Sequence, residues 1–290
     1  MKVLFVNPNY RDIPNLIPLG IGYIASVLRE RGHEVACLDC NGFQYTREET
    51  AQKIFEYEFD ALGIGGLTTT YGFVKWFSKV VKSRRPEVPI FAGNMVSTAH
   101  PGPLLENSSV DIAVIDEGEI TTAELIEAFE EKRPLNSVAG IWYKKDGQIV
   151  KTACRARIKD LDNLPFPAWD LFPIDTYIRN PVYGEYGRKS LNVSTVRGCP
   201  YNCNFCSRPY GRVVTHRSPP SIVSEIIEVH KRFGANHIAF SDDLSFFSQK
   251  HMYGVCDEII KAGLHKKITW NCSARANLVD YPILKKMKQA

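Results

Sequence analysis

The stretch Val196–Arg208 reads VRGCPYNCNFCSR and places Cys199, Cys203 and Cys206 at CxxxCxxC spacing. Three thiolates this close in sequence can bind three irons of an iron–sulfur cube. With no fourth cysteine nearby, one iron stays open for another ligand. The spacing therefore predicts a metal loop whose flanking segments support it.

Two other interpretations of these cysteines stay open at this point. A structural zinc site would need a fourth ligand such as His216, and zinc cysteines usually come in CxxC pairs. A disulfide is less favoured because the N-terminal residues do not form a signal peptide and the remaining cysteines are scattered. The residues favour a cluster.

The segments around the cysteines repeat a strand–helix pattern. Such (βα) repeats form a barrel or part of one, with the functional site at the carboxyl ends of the strands. The predicted strands are Leu191–Val196, His237–Phe240 and Lys267–Cys272, and the predicted helices begin at Ser218-Pro219, at Ser248 and near Asp280.

The N-terminal half alternates short apolar runs with amphipathic helices. This pattern predicts a doubly wound, five-stranded parallel sheet of Rossmann-like type. Asp146-Gly147 then marks a β-hairpin. The proline-rich Leu161–Pro173 reads as a stiff, extended connector that packs against another part of the molecule, and a simple linker is the alternative. The predicted strands are Lys2–Asn7, Glu34–Leu38, Asp60–Gly65, Val88–Ala92 and Val110–Ile115.

Ligands of doubly wound sheets bind beyond the carboxyl ends of the strands. Four loops lie there and are rich in small, hydroxyl or amide residues: Asn7–Gly20, Gly65–Thr70, Gly93–Gly102 and Asp116–Thr121. Ordinary loop chemistry would give a similar composition. GIGG at Gly63–Gly66 is not GxGxxG, so a nicotinamide or flavin site is disfavoured.

The segment CPYNCNFC resembles the signature of the radical S-adenosylmethionine (SAM) family. The resemblance implies that Cys199, Cys203 and Cys206 hold a [4Fe–4S] cluster and that SAM chelates the open iron. Reduction would then cleave SAM to methionine and a 5′-deoxyadenosyl radical. It also implies that Phe205, directly before the third cysteine, lies against adenine.

The N-terminal pattern resembles the cobalamin (B12)-binding branch of that family, through Pro18-Leu19-Gly20 and the turn Asp116–Glu119. The implied organisation is a cobalamin-binding domain over 1–137, a hairpin and connector over 138–190, and the first half of a radical SAM (βα) partial barrel over 191–290. The resemblance also implies that Phe166 and Trp169 of the connector line the interface between the two domains. The implied cobalamin contacts are Gly66, Thr68, Thr69, Gly93, Asn94, Gly118 and Glu119.

The loop after the first predicted strand departs from one branch pattern. Domains that place a histidine under cobalt carry DxHxxG there, whereas Asn7–Gly20 contains no histidine. Cobalamin is therefore predicted to bind base-off without a histidine from this loop. His100, after the fourth strand, is the only histidine near that edge and is expected to be solvent-exposed rather than a ligand.

Three further residues gain a role from the resemblance. Asp242 and Asp243 follow the second strand of the C-terminal repeat, where the family contacts the methionine amino group of SAM. Arg275 follows the third strand and could pair bidentately with the SAM carboxylate. For Asp242 and Asp243 the ordinary alternative is a helix N-cap, and for Arg275 it is a surface salt bridge. Cys256 and Cys272 are expected to be packed thiols.

Composition limits the partners. The net charge is +4, from 36 basic and 32 acidic residues, with no polybasic block of the kind that marks nucleic-acid or membrane-surface binding. No apolar run reaches the roughly 20 residues of a membrane span. A reducing, cytoplasmic setting is expected, and the resemblance implies an electron donor such as flavodoxin or ferredoxin and a small-molecule or natural-product substrate.

The expected reaction is methyl transfer through methylcobalamin to an unactivated carbon. The alternatives are an oxidative cyclisation or rearrangement with the same cofactors, and a cofactor-binding module without turnover. The family barrel usually has six (βα) units, and the sequence ends at Ala290 within the third helix. A truncated barrel is therefore expected.

Overall fold

The computed structural model describes residues 1–11, 16–180, 187–207 and 209–290. Arg208, which ends the cysteine stretch, and residues 12–15 of the first predicted ligand loop lie outside these ranges. The chain divides into two compact units. The first is built on Pro18–Arg157, with the N-terminal strand and Pro165–Pro173, and the second on Ile158–Leu164 and Ile174–Ala290, with Ile17.

The first unit contains a seven-stranded sheet in the order β2-β1-β3-β4-β5-β6-β7. Its first five strands in that order are parallel, which confirms the predicted doubly wound sheet. The strands are β1 Lys2–Asn7, β2 Glu34–Asp39, β3 Ala61–Gly65, β4 Ile90–Gly93, β5 Ile112–Val114, β6 Ile141–Lys145 and β7 Gln148–Lys151.

The packing at the centre of the sheet depends on a glycine. Phe5 of β1 and Phe91 of β4 meet edge to face, with ring centroids 5.9 Å apart. Gly63 of β3 lies between these strands, and a Cβ there would come within 2.7 Å of both rings. The glycine therefore leaves the space that the two phenyl rings fill.

Six helices cover the faces of this sheet. Thr46 and Glu49 form the predicted capping box, since each side chain accepts a backbone N–H of the other residue, at 3.2 Å and 2.8 Å. The helix that follows is shorter than predicted and continues as a 3₁₀ turn over Ile54–Glu56. The helices are α1 Leu19–Glu30, α2 Arg47–Lys53, α3 Tyr71–Arg84, α4 Met95–Thr98, α5 Pro101–Asn107 and α6 Gly118–Glu130.

The predicted loop Gly93–Gly102 is largely helical, which corrects the sequence analysis. Asn94 adopts a left-handed φ of 65°, and its side-chain oxygen accepts the N–H of Met95 at 2.7 Å, so α4 begins there. Pro101 then occupies the first position of α5. Both signals are local and short, which is why periodicity did not detect them.

The predicted hairpin adds β6 and β7 to the sheet, antiparallel to β5. Its two central residues, Asp146 and Gly147, have φ values of 49° and 75°. Positive φ at both positions is the requirement of a type I′ turn, whose twist matches that of the flanking strands.

Half of the predicted connector belongs to the first unit. Trp169 is fully buried, and the Ala168 N–H donates to the Gly22 carbonyl of α1 at 3.1 Å. A Cβ on Gly22 would lie 2.8 Å from that of Pro167, so the glycine admits the proline-rich segment. Pro165–Pro173 is therefore packed against α1 rather than acting as a simple linker.

The second unit contains a parallel three-stranded sheet, in the order β12-β11-β8, and a two-stranded ladder of β9 and β10. The predicted strand Leu191–Val196 is split between β8 and β9, which is a correction treated below. The strands are β8 Ser190–Val193, β9 Val196–Arg197, β10 Thr215–His216, β11 His237–Phe240 and β12 Thr269–Asn271.

Two helices of the second unit begin at the predicted caps Ser218 and Ser248. Ser218 and Ser248 accept backbone N–H groups three residues ahead, and Gly234 closes its helix in the left-handed region. Among the described residues, no helix combines the length and apolar character needed to cross a membrane. The helices are α7 Ile174–Tyr177, α8 Pro219–Phe233, α9 Gln249–Lys261 and α10 Tyr281–Gln289.

Candidate functional site

The cysteine loop, residues 198–214, connects the two short strands β9 and β10. Arg197 pairs with Thr215 and Val196 with His216, so the two ends of the loop are held side by side. Inside the loop, the Cys199 N–H donates to the Gly211 carbonyl at 3.1 Å. The loop is therefore closed at its base while its middle carries the thiols.

Gly198 is the tightest point of this base. Its φ is 86°, and a Cβ there would lie 2.3 Å from the carbonyl oxygen of Val213. Two backbone segments thus approach more closely than any side chain allows. Gly211, on the opposite side of the loop, also has a positive φ of 68°, but a Cβ there would meet open space.

This difference gives a paired prediction. Gly198→Ala and Gly211→Ala both place alanine in the left-handed region, at a cost of roughly 1–2 kcal/mol, but only Gly198→Ala drives a methyl group into the Val213 carbonyl. We expect Gly198→Ala to lose most of its iron after anaerobic reconstitution and Gly211→Ala to retain it. Equal iron content in the two variants would contradict this role of Gly198.

The three thiols are free and accessible. Cys199 and Cys203 are half-buried, Cys206 is exposed, and none forms a disulfide. Within the described part of the chain, no three His, Cys, Asp or Glu side chains converge on one metal position. Each thiolate of an iron–sulfur cube binds a different iron, so convergence on one point is not required, and this donor set fits a cube.

His216, the candidate fourth zinc ligand, is engaged elsewhere. Its ring stacks on Phe247 with centroids 4.9 Å apart and meets the edge of His251 at 4.8 Å. Its Nδ1 lies 3.2 Å from the Arg217 carbonyl oxygen. The ring is exposed but directed to these partners, and within the described residues it does not converge with the thiols on one metal position, which favours the cluster over zinc.

Asp242 fastens the turn that leads into the cysteine loop. Its Oδ1 accepts the N–H groups of Thr195 and Val196 at 2.7 Å and 3.1 Å, and its Oδ2 accepts the Thr195 hydroxyl at 2.6 Å. Burial raises the pKa of Asp242, and these bonds oppose that effect. The carboxylate thus ends β8 at Val193 and re-aims the chain into β9, which explains why the predicted single strand is split.

A buried ion pair holds the other end of the loop. Arg217 follows β10, pairs with Glu225 of α8, and donates to the Ser194 carbonyl at 3.2 Å and the Ser221 hydroxyl at 2.9 Å. Arg217 is 4% exposed and Glu225 is fully buried. Burial raises the pKa of Glu225 to about 7, against the attraction of Arg217.

Sequence reasoning missed this pair, although a signal was present. Glu225 falls on the same face of α8 as Ile222, Ile226 and Val229. A carboxylate inside a buried apolar stripe requires a cation or a proton. That cation is Arg217, which ties the segment after the loop to the segment before it.

Arg275, predicted to pair with the SAM carboxylate, lies against the cysteine loop. Its guanidinium carbon is 3.8 Å from the centre of the Tyr201 ring, and Nη1 is 3.4 Å from the Sγ of Cys203. Phe205, predicted to contact adenine, is 89% exposed on the same loop. Asp243 is half-buried beside Asp242. Their predicted SAM contacts stay predictions.

The predicted cobalamin residues lie at the carboxyl edge of β3, β4 and β5 but differ in access. Thr68, Thr69 and Asn94 are exposed. A Cβ on Gly93 would meet nothing within 4 Å, so open space lies above the end of β4. These residues could face a large ligand.

The two remaining glycines of that set have packing roles, and the remaining carboxylate is buried. A Cβ on Gly66 would lie 2.7 Å from the Thr70 hydroxyl, and one on Gly118 would lie 2.7 Å from Ile24 of α1. Glu119 is 3% exposed. Their predicted contacts with cobalamin are not tested by these distances. His100 is exposed at the start of α5.

A cleft of about 610 Å³ opens where β1 and β3 end, at the point where the strand order reverses. Ligands of such sheets occupy this position. The segment after β2 also lines the cleft and was not among the predicted loops. The lining residues are Asn9, Tyr10, Arg11, Tyr45, Thr46, Arg47, Glu48, Thr69, Thr70, Gly72 and Phe73.

Comparison with known proteins agrees with this geometry. The family described as B12 binding domain matches residues 14–126. An uncharacterized methyltransferase of Pyrococcus horikoshii is 30% identical over 298 residues, covering 100% of this chain and 63% of that protein. The chain therefore contains a B12-binding domain and is homologous to cobalamin-dependent radical SAM methyltransferases. The resemblance predicted from the sequence is thereby confirmed.

The similar proteins also include a cyclase and a solved structure of a methyltransferase. An anaerobic magnesium-protoporphyrin IX monomethyl ester cyclase of Synechocystis is 28% identical, covering 100% of this chain and 59% of the cyclase. The radical SAM methyltransferase TsrM of Kitasatospora setae shares the fold, with a TM-score of 0.82 at 18% identity over 99% of this chain and 57% of TsrM. The chain therefore spans about three fifths of the length of these proteins.

Proposed function

We propose that this protein is a B12-dependent radical SAM enzyme that transfers a methyl group to an unactivated carbon. The observation that carries the proposal is the cysteine loop, with three free thiols held between Asp242 at one end and Arg217 at the other. When bound, the cluster and SAM supply a 5′-deoxyadenosyl radical and cobalamin supplies the methyl group.

The protein residues contribute position and charge. Asp242 and Arg217 orient the loop, so that Cys199, Cys203 and Cys206 can each bind one iron of a [4Fe–4S] cluster. The proposed contacts to SAM are the four residues predicted from the sequence: Phe205, Asp242, Asp243 and Arg275. An external electron donor such as flavodoxin or ferredoxin would deliver the electron through the exposed loop.

The first unit is the proposed cobalamin site. The open space at Gly93 and the cleft beyond β1 and β3 can accommodate a large planar ligand, and exposed hydroxyl and amide groups of Thr68, Thr69 and Asn94 can bind its polar substituents. No histidine of the described β1–α1 residues reaches this edge, which supports the proposed base-off binding.

A second reaction is favoured by one finding. The similarity to cyclases extends over the whole chain, as it does for the methyltransferase from Pyrococcus. An oxidative cyclisation with the same cofactors is therefore the alternative. Both reactions require SAM cleavage, so 5′-deoxyadenosine formation from SAM and dithionite tests them together and separates both from a module without turnover.

The cobalamin site is tested by filling the space at Gly93. Gly93→Leu should fold normally because nothing lies within 4 Å of its Cβ, yet its side chain would occupy the volume above β4. We expect cobalamin affinity, measured from changes in the corrinoid spectrum on titration, to fall by at least about tenfold. Lys145→Leu, an exposed substitution in the hairpin, is the control and should bind as the unmodified protein does. Unchanged affinity of Gly93→Leu would exclude this position.

A further inference from the structure

Arg275 makes two contacts that its proposed role toward SAM does not require. Its guanidinium stacks on Tyr201 at 3.8 Å, and Nη1 donates to the Sγ of Cys203 at 3.4 Å. Nε donates to Asn277 Oδ1 at 3.3 Å, which fixes the orientation of the fork. The guanidinium is thus held in place against one of the three thiols.

A cation that donates a hydrogen bond to a cluster thiolate affects the iron directly. The bond withdraws electron density from sulfur, and the positive charge stabilises the additional electron of the reduced cluster. Both effects raise the reduction potential. Arg275 is only half-buried, so water partly screens its charge. The hydrogen bond, by contrast, acts directly on the sulfur atom that binds iron.

We propose that Arg275 sets the reduction potential of the cluster by donating to the Cys203 thiolate, independently of SAM. This inference rests on the proposed cluster. The same side chain can also serve the SAM carboxylate, because Nη2 has no hydrogen-bond partner among the described residues while Nη1 and Nε are engaged. The two roles are separable, since only one of them exists before SAM binds.

The chain offers a matched control. Arg212 lies on the same cysteine loop and is exposed, and its guanidinium makes no contact with a thiol in the described residues. Arg212→Gln removes one positive charge from the cysteine loop, and Arg275→Gln removes one positive charge that lies against the same loop. Any difference between the two variants therefore reports the contact with Cys203 rather than the net charge of the loop.

The experiment is an EPR-monitored redox titration of the reconstituted protein, first without SAM and then with it. Without SAM, we expect Arg275→Gln to shift the reduction equilibrium of the cluster about tenfold toward the oxidised form. This shift lowers the reduction potential by about 59 mV for a one-electron couple. Arg212→Gln should keep the potential of the unmodified protein. Arg275→Lys, which retains charge but loses the fork, should fall between them.

The outcomes are distinguishable. If the unmodified protein binds no cluster, the proposed function fails and this inference fails with it. If the cluster is present and Arg275→Gln matches Arg212→Gln without SAM, only the inference is overturned, and a shift confined to the SAM-bound state has the same consequence. Should Arg275→Gln lose its iron, the second variant is Tyr201→Leu, which removes the ring on which the guanidinium stacks. Tyr201→Leu must then lower the potential, and an unchanged value overturns the inference.

Discussion

A Cys203→Ala variant is expected to lose its iron–sulfur cluster and all SAM cleavage. Cys203 is the central thiol of the loop and the one that Arg275 contacts. Two thiolates leave a second iron of the cube without a protein ligand, which destabilises the cluster. After anaerobic reconstitution, iron should fall from about four per chain to near zero, and 5′-deoxyadenosine should be undetectable.

The matched control is Cys154→Ala. Cys154 is an exposed free cysteine outside the loop, so its removal changes the total thiol count without affecting the proposed site. It should retain full iron content and the visible absorption of the cluster. Retention of the same iron content by Cys203→Ala would contradict the assignment of the loop.

Arg217→Met is expected to destabilise the second unit strongly. The substitution removes the cation beside a fully buried Glu225 and the donor to the Ser194 carbonyl. Breaking a buried pair by removing one partner costs about 3–5 kcal/mol. Urea unfolding of the cluster-free protein, followed by circular dichroism, should show this loss in the free energy of unfolding.

The pH dependence identifies the cause. Burial raises the pKa of Glu225 from 4.5 to about 7 in the folded protein, so its contribution to stability is fully present below pH 4.5 and is lost as the pH rises through 7. At pH 8 the buried Glu225 is ionised and Arg217 compensates its charge, whereas at pH 5 Glu225 is mostly protonated. The stability lost in Arg217→Met should therefore be larger at pH 8 than at pH 5. The double variant Arg217→Met/Glu225→Leu should recover much of it, and equal losses at both pH values would contradict the ion-pair explanation.

The parts of the fold that follow from local rules were predictable from sequence. Buried apolar runs gave the five parallel strands, and the capping box of Thr46 and Glu49 and the caps Ser218 and Gly234 marked helix ends. These signals depend on neighbouring residues alone. The hairpin turn at Asp146-Gly147 belongs to the same class.

The remainder depends on contacts between distant residues. The split between β8 and β9 arises because Asp242, 46 positions along the chain, draws the Val196 N–H out of the strand. The partner of Glu225 is Arg217, which no periodicity reveals. The cleft is completed by Tyr45 to Glu48, a segment whose proximity to β1 and β3 follows only from the strand order.

The candidate site shows the same division. The three cysteines are named by their spacing, whereas the approach of Arg275 to Cys203 spans 72 positions and requires the third strand to lie beside the second. Tyr201, read in sequence as part of the motif, acts in the fold as the surface on which that guanidinium rests.

The central claim is that the cysteine loop holds a [4Fe–4S] cluster whose open iron binds SAM. The most direct test is the EPR spectrum of the reduced, reconstituted protein recorded without and with SAM. The claim predicts a cluster signal whose g-values change when SAM is added, because the ligand of one iron changes. A spectrum that is identical in the presence of saturating SAM, or the absence of any cluster signal, would contradict it.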